Sequence, residues 1–439
     1  MMEYVRKLME LGWEDLPEEV RARAKVCTKD IIATYAGSLR LPVSGRAARM
    51  VLAQYGEGEV PLWFRGRGSS RVGAAFYNAL SVDSLDCHDG FRPVKGHAGA
   101  TVVPVALGEC AGRRVHGREL LVAVVLGYEL ACRAGMAVHR MYEPTYHSSG
   151  AWAAVGAAAA GARILRVPEG EVDLVLGTAE YYAPISPILR CTAHPSAVKD
   201  GAGAGAWAGA MSLSMWEHGL EGLPSLFSSE EAGREVVGSL GEERLIHRQY
   251  FKLYPTCRWT HPAVEGVDAL RRKYGFTHRD VERIDVETFE EAAGLTKFPP
   301  EHSDGAQYCM QWAVAAMLVD GNLGVEQVDP GRLSDPEVIE LGRRVRVHAA
   351  EDIQERFPEE CLARVTVTLR DGRSFSTGTL AARGDYDNPL SDDELEEKFR
   401  ELVAGSLGEE ACEELREVVD TLDVRPAEDL VSALRRLVP

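Results

Sequence analysis

The sequence lacks a paired cysteine motif, a long apolar run and a secretion signal. Its nine cysteines are odd in number and scattered, with no C-x-x-C pair, which disfavours a disulfide framework and a structural zinc site. The longest apolar stretch, Leu120 to Leu130, is far shorter than the roughly 20 residues of a membrane-spanning helix. The first residues carry charge early and have no apolar signal-peptide core. We therefore expect a reduced, cytoplasmic protein without a membrane partner.

Positive charge is also scarce. The 439 residues include 49 Lys and Arg against 67 Asp and Glu, which gives a net charge of −18. Nucleic acid is disfavoured as a partner, because phosphate binding needs clustered Lys and Arg side chains. A small anionic ligand is compatible with this charge, since a local group of cations can override the overall field. The apolar fraction of 45% is ordinary for a globular protein and excludes a disordered chain.

Motifs for nucleotide and metal binding are missing as well. The Gly-x-Gly-x-Gly run at 201–205 has no preceding strand, and there is no Gly-Lys-Ser/Thr phosphate loop. Asp86, His88 and His97 are possible metal ligands by residue type, but no H-E-x-x-H or similarly rigid spacing accompanies them. We therefore predict neither a cofactor nor a catalytic metal.

Helical patterns dominate both ends of the chain. Two segments, 150–161 and 201–210, consist almost entirely of small residues and tryptophan. Glycine lowers helix stability by up to about 1 kcal/mol relative to alanine. Helices of this composition are therefore expected only where close packing of their backbones offsets that cost. Both segments are therefore predicted to lie at the centre of a helical core.

The pattern changes after residue 274. Segments 283–289 and 344–348 alternate with period two, and 363–378 contains two alternating runs around Asp371-Gly372, a strong hairpin signal. An alanine-rich helix is predicted at 312–320. The predicted fold class is α+β, mostly α: a large helical domain from residues 1–268 and 393–439, with a smaller α+β lid domain inserted at 269–392.

The densest polar cluster lies at 83–97 and includes Asp86, Asp89, Arg92 and His97. One interpretation is a solvated loop after a helix. The alternative is a site loop, because Gly90, Pro93 and Gly96 interrupt the helix where the acids and imidazoles lie.

Three further positions stand next to predicted structural boundaries. His147 and Ser148 precede the first small-residue helix, where they would either bind an anion or simply cap the helix. Lys199 precedes the second, and its ammonium would point inward if that helix is central. His261 follows Arg258 at the predicted domain junction, where binding clefts are common.

These segments together resemble the MmgE/PrpD family, over nearly the whole chain. Each motif alone is weak, but their order and spacing are specific. The matching stretches are Leu16-Pro17, Asp86 to Gly99, His147 to Gly150, Val198 to Gly201, Lys252 to Pro255, His261, Ala306 to Tyr308, Asn388 to Ser391 and Lys398-Phe399.

The resemblance implies a helical domain with an inserted lid, a homodimer, and chemistry without metal or organic cofactor. The catalytic residues that it implies are Asp86, His97, His147, Lys199 and His261. Lys199, His97 and His261 would bind carboxylates, Asp86 would keep an imidazole oriented and charged, and His147 would transfer the proton. The substrate contacts would be Asp89, Arg92, Ser148, Arg258 and Trp312.

The family includes 2-methylcitrate dehydratase, cis-aconitate decarboxylase and iminodisuccinate epimerase, so the resemblance implies an enzyme for a small di- or tricarboxylic acid. We expect a lyase of the dehydratase type; an epimerase or isomerase, a cis-aconitate-type decarboxylase and a non-catalytic acid binder are the alternatives. Where the decarboxylase has a threonine, a tyrosine and a serine, this chain has Gly90, Trp312 and Cys309.

Overall fold

Helices form most of the part of the chain that precedes residue 261. The computed structural model describes residues 2–143, 146–295 and 297–439. The helices of this part are α1 (Glu3–Glu10), α2 (Glu18–Ser38), α3 (Pro42–Tyr55), α4 (Arg71–Asp83), α5 (Gly99–Cys110), α6 (Gly117–Met141), α7 (Gly150–Leu165), α8 (Glu169–Tyr182), α9 (Ile188–Ala193), α10 (Ala202–Glu217), α11 (Leu226–Ser229) and α12 (Glu231–Gly238).

The two small-residue segments form α7 and α10, and both are central, as predicted. Helix α7 packs on α5, α6, α8 and α10. A Cβ added to Gly156 of α7 would lie 2.2 Å from the carbonyl oxygen of Gly127 in α6. One added to Gly205 of α10 would lie 2.8 Å from the Cα of Gly150. Glycine at these positions therefore allows backbones to approach more closely than any side chain would permit.

Helix α6 is long and apolar enough to cross a membrane by length and composition alone. However, 94% of its apolar window is buried inside the protein, against neighbours such as α7. This placement is typical of a core helix in a globular domain.

The segment from His261 to Ala381, called the inserted domain below, contains a four-stranded sheet and seven helices among the described residues. Its helices are α13 (His261–Tyr274), α14 (Glu290–Ala293), α15 (Ser303–Gln307), α16 (Met310–Asp320), α17 (Val325–Val328), α18 (Pro336–Gly342) and α19 (Glu351–Gln354). The strands of the whole chain are β1 (Val60–Leu62), β2 (Arg67–Ser69), β3 (Gly90–Phe91), β4 (Gln249–Tyr250), β5 (Val281–Thr288), β6 (Val345–Ala349), β7 (Leu362–Leu369) and β8 (Ser374–Ala381).

The sheet has the strand order β6-β5-β7-β8, with β5 and β6 parallel and the other pairs antiparallel. Val286 of β5 lies between Val347 and Val365. All four strands and α16 occur where the period-two patterns and the alanine-rich run predict them. Helix α13 crosses the predicted boundary at 268/269 and packs on β7, β8 and α16, so its whole length lies with the inserted domain.

The last helices are α20 (Asp392–Leu407), α21 (Glu409–Asp420) and α22 (Ala427–Arg436). Helix α20 packs on α2, and α22 packs on α5. Ser391 and Glu394 form a capping box at the start of α20. The C-terminal helices therefore pack against helices near the start of the chain, and Lys398 of α20 reaches the polar loop that follows α4.

Candidate active site

A cleft lies where the loop between α4 and α5 faces the segment that connects β4 to α13. Four cations and two carboxylates line it, together with His97, Tyr250 and Tyr308; the charged residues are Arg92, Lys95, Lys252, Arg258, Asp200 and Asp385. In a protein with an overall charge of −18, this local excess of cations creates a site suited to an anion.

The loop is held by a buried ion pair below the cleft. Lys252 donates to Asp86 Oδ1 at 2.5 Å and to the Asp86 carbonyl at 3.0 Å, and both side chains are almost completely buried. Asp86 adopts a left-handed backbone conformation with a φ of 53°, which is costly for any residue with a side chain. Asp86 thus pairs with a lysine, whereas the sequence predicted that it orients an imidazole.

A second buried lysine fixes the next residues of the loop. Lys398 of α20 donates to Asp30 Oδ1 at 2.5 Å and to the Cys87 carbonyl at 2.6 Å. The other oxygen of Asp30 accepts the Asp89 N–H at 2.8 Å, and Asp89 Oδ2 accepts the Tyr128 hydroxyl at 2.6 Å. Burial raises the pKa of Asp89 to about 7. Asp89, predicted as a substrate contact, is buried and does not line the cleft. Its bonds to Asp30 and Tyr128 instead hold the loop between α4 and α5 in place.

His97 reaches the cleft with a defined tautomer. Its Nδ1 lies 2.5 Å from the carbonyl oxygen of Asp89, and since a carbonyl only accepts, Nδ1 carries the proton. Nε2 therefore has the free lone pair, and it lies 3.8 Å from Asp200 Oδ2. Burial, with the nearby charge of Lys252, lowers the pKa of His97 to about 3, so the ring is neutral. This neutrality contradicts the charged imidazole predicted from the sequence.

Asp200 is a site residue that the sequence analysis did not assign. Its Oδ2 accepts the Ser149 hydroxyl at 2.7 Å, and the Ser149 oxygen accepts the His97 backbone N–H at 2.8 Å. Burial raises the pKa of Asp200 to about 6, and the charge of Asp86 contributes. Its position directly after Lys199, within a matching motif, was the available signal.

Lys199 is buried, with its ammonium inward as the central position of α10 predicts. Nζ donates to Gln307 Oε1 at 2.5 Å, lies 3.5 Å from Asp304, and lies 5.0 Å from the ring centroid of Tyr308. Lys199 thereby joins the helical domain to the inserted domain. It does not line the cleft itself but, with Ser148, an adjoining groove.

The six-residue helix α9 separates the cleft from this groove. Ile188 and Thr192 line the cleft, whereas Arg190 and Cys191 line the groove. Lys199 and Ser148 line the groove, while the residues that follow them, Asp200 and Ser149, contact His97.

His147 is buried but does not line the cleft. Its ring lies 6.1 Å from that of His139, and its backbone N–H donates to His139 Nδ1 at 3.3 Å. Within the described ranges, neither ring nitrogen of His147 has a hydrogen-bond partner. The structure thus places His97, rather than His147, at the cleft.

Two other predicted residues also lie outside the cleft. His261 is fully buried, and its Nε2 lies 3.3 Å from the Thr256 carbonyl while its Nδ1 lies 3.5 Å from Arg258. Burial and Arg258 lower the pKa of His261, so the ring is neutral and supports the guanidinium. Trp312 is buried in α16, where its indole N–H donates to the Gln327 carbonyl at 2.8 Å. Packing within the inserted domain accounts for its position.

Arg92 and Arg258, two of the residues predicted as substrate contacts, line the cleft. Arg258 donates to Asp385 Oδ2 at 2.9 Å, and Arg92 donates to Asp387 at 3.0 Å. Arg92 also lies 3.7 Å from Asp385. The residues after β8 therefore close one side of the cleft through ion pairs.

Across residues 2–143, 146–295 and 297–439, no three His, Cys, Asp or Glu side chains converge in a way that would hold a metal ion. His88, considered above as a ligand, is fully buried with its ring 4.4 Å from that of His97. Its Nε2 lies 3.8 Å from Asp83.

Comparison with known proteins identifies the family of the chain. The MmgE/PrpD N-terminal domain model matches residues 3–243, and the MmgE/PrpD C-terminal domain model matches residues 254–424. The chain belongs to the MmgE/PrpD family. The family resemblance predicted from the motifs is therefore confirmed.

The relatives found are distant in sequence. A cis-aconitate decarboxylase-like protein oryM of Aspergillus oryzae is 24% identical, over 94% of this chain and 92% of its own length. Cis-aconitate decarboxylases of Aspergillus terreus and Homo sapiens are 23% and 25% identical, over 94% and 80% of this chain and 91% and 76% of their own lengths. The family and these relatives support a lyase-type function.

Proposed function

We propose that the protein is a cofactor-independent lyase that removes a proton next to a carboxylate of a small di- or tricarboxylic acid. The observation that carries this proposal is the neutral His97 ring, whose Nε2 lone pair faces a cleft lined by Lys252 and Arg258. A base beside fixed cations is what proton removal from such a carbon requires, because negative charge develops on the neighbouring carboxylate.

Each charged group then has a role. Arg92, Lys95 and Arg258 bind the substrate carboxylates, and Lys252 stabilises the charge that develops as the proton leaves. Bound carboxylates offset the cations that keep His97 neutral, which raises the proton affinity of Nε2 when substrate is present. Ionised Asp200, 3.8 Å away, stabilises the imidazolium that forms.

Dehydration of the 2-methylcitrate dehydratase type is the outcome that we favour. The carbon proton moves to His97 Nε2, its electron pair forms the double bond, and the bond to the hydroxyl on the next carbon breaks. The imidazolium returns the proton to the departing oxygen, so that water leaves and the enzyme is unchanged.

Decarboxylation is the second candidate, since the named relatives are cis-aconitate decarboxylases. The tyrosine of that enzyme is replaced by Trp312, whose indole is buried in the inserted domain. Epimerisation would need a second acid–base group on the opposite face of the substrate, and Asp200, 3.8 Å from His97 Nε2, lies on the same side as the proposed base.

The test is proton NMR in D2O with 2-methylcitrate, citrate, cis-aconitate and iminodisuccinate, using the parent and the His97→Gln variant. A dehydratase forms an alkene and consumes the hydroxy acid. A decarboxylase releases carbon dioxide, and an epimerase incorporates deuterium without loss of atoms. If the parent produces none of these signals with any of the acids, the proposal is wrong and a binding protein is the better description.

We further propose a homodimer that forms through the segment leading to Lys199. This segment exposes apolar side chains, with Tyr181 76%, Val198 73%, Tyr182 47%, Leu189 46% and Ile185 45% exposed. An apolar patch of this kind is typical of a protein interface. Sedimentation of Tyr181→Glu, with Tyr55→Glu as the matched control, should yield monomers for the first variant only; a monomeric parent would contradict the proposal.

A further inference from the structure

Gly90 and Tyr250 face each other across the short β3–β4 pair. A Cβ added to Gly90 would lie 2.4 Å from both Cζ and the hydroxyl oxygen of Tyr250, and 2.8 Å from His97 Nδ1. No real Cβ atom makes contacts this short, so a side chain at position 90 would displace the phenol or the imidazole. Glycine at this position therefore provides the space that the tip of Tyr250 occupies.

The phenol lies among the reactive groups. Tyr250 lines the cleft, with its ring centroid 6.1 Å from that of His97 and 5.1 Å from the Arg258 guanidinium. Burial raises its pKa well above the usual value, so the hydroxyl keeps its proton. It is accordingly a hydrogen-bond donor beside the proposed base, and is not itself a base.

We propose that Tyr250 is a specificity-determining residue, whose hydroxyl donates a hydrogen bond to the hydroxyl oxygen of a hydroxy-di- or hydroxytricarboxylate. The inference rests on the proposed function, because it assumes that His97 removes a carbon proton and that Arg258 holds a carboxylate. A donor next to the base reaches the oxygen on the carbon next to the one that loses the proton. A site with such a donor selects hydroxy acids over acids that lack the hydroxyl.

The test compares the binding of citrate with that of tricarballylate, which has the same three carboxylates and no hydroxyl, by isothermal calorimetry. The parent should bind citrate about 10-fold more tightly. In Tyr250→Phe, citrate affinity should fall about 5- to 10-fold, as expected for the loss of one hydrogen bond, while tricarballylate affinity changes by less than about twofold. The conservative control is Tyr274→Phe, an exposed tyrosine of the inserted domain.

A second variant tests the same hydroxyl through a substitution on the opposite strand, β3. Gly90→Ala should weaken citrate binding by a similar factor, because the methyl group displaces the phenol. Gly170→Ala is its matched control, since a Cβ added there has no other atom within 4 Å. Gly90→Ala keeps the Tyr250 side chain but moves its hydroxyl or the His97 ring, so a loss of citrate preference shared with Tyr250→Phe, at unchanged tricarballylate affinity, supports the position of the hydroxyl as the cause.

The outcomes separate the inference from the proposed function. Equal losses for both acids in Tyr250→Phe, or no loss, would overturn the inference alone. A parent that binds and converts neither hydroxy acids nor their unsaturated counterparts would overturn the proposed function and the inference with it. A parent that is active but binds citrate no more tightly than tricarballylate overturns only the selection by hydroxyl.

Discussion

The floor and the rim of the cleft are built from different kinds of ion pair. The floor pairs are Lys252–Asp86 and Lys398–Asp30, and all four side chains are at most 5% exposed. In the rim pair, the side chain of Arg92 is 20% exposed and that of Asp387 is 50% exposed. Buried pairs hold a rigid arrangement because separating them leaves an uncompensated charge, whereas exposed pairs open at little cost. The chemistry is therefore expected on the floor, and access at the rim.

The largest effect should come from the base above the floor. His97→Gln should lower kcat by about 100- to 10,000-fold, because it removes the group that accepts the proton. His147→Gln should have a much smaller effect, since that ring does not line the cleft. Steady-state kinetics of both, with the exposed His348→Gln as control, distinguish them. If kcat falls further in His147→Gln than in His97→Gln, the proton is transferred by His147, as the sequence predicted.

The second effect concerns stability, and compares floor and rim directly. Lys252→Met should lower the free energy of unfolding by about 3–5 kcal/mol, because it leaves Asp86 charged and buried. Arg92→Gln should lower it by at most about 1 kcal/mol, as for other exposed pairs. Urea titrations of both variants make the comparison.

The double variant Lys252→Met/Asp86→Asn provides the control, since it removes both charges and should recover part of the loss. If Lys252→Met and Arg92→Gln lower the free energy of unfolding equally, the floor and rim pairs do not differ in the way described.

The next effect is the dependence of activity on pH. Asp200 has a pKa of about 6 in the folded protein, above its usual value. Its neutral form therefore favours folding at low pH, and this contribution is lost as pH rises through about 6. Activity follows the opposite direction, because only ionised Asp200 stabilises the imidazolium. We expect kcat/KM to fall about tenfold per pH unit below about 6.

His97, with a pKa of about 3, should not add a transition near 6.5. Profiles of kcat/KM for the parent and Asp200→Asn test this assignment. The acidic transition should disappear in the variant, and its persistence would assign it to another group.

Sequence patterns predicted the fold more fully than the site. Strand periodicity and small-residue helices are local signals, and they placed β5, β7, α7 and α10 correctly. The buried pairs join residues far apart in the chain: Lys252 is 166 residues from Asp86, and Lys398 is 368 residues from Asp30. No local pattern specifies such pairings.

The predicted site residues show the same limit. Position at a domain junction drew attention to His261, and the family resemblance to Trp312, but packing decides where each side chain points. Trp312 turns its N–H to a carbonyl within the inserted domain, because a buried indole needs an acceptor. No sequence pattern indicates Tyr250, because the position of its hydroxyl in the cleft requires a glycine at position 90, on another strand.

A smaller effect is expected from movement at the rim. The cleft encloses a cavity of about 40 Å³, room for only a few water molecules, so a tricarboxylate requires it to open. A carboxylate ligand at saturating concentration should then slow amide exchange in 303–320 of the inserted domain as well as around His97. Hydrogen exchange with and without tricarballylate measures this. Protection confined to the helical domain would contradict a closing lid.

The smallest expected effect is that of metal removal. The proposed mechanism assigns charge stabilisation to Lys252 and Arg258 and proton transfer to His97, so every step is carried by side chains of the chain itself. Dialysis against EDTA should therefore change the rate of substrate conversion by less than about twofold. The control is the dialysed protein supplemented with Zn²⁺, Mg²⁺ or Fe²⁺. A loss that only one of these ions restores would show that the cations of the floor and rim are not sufficient, and that the charge which develops on the substrate is stabilised by a metal.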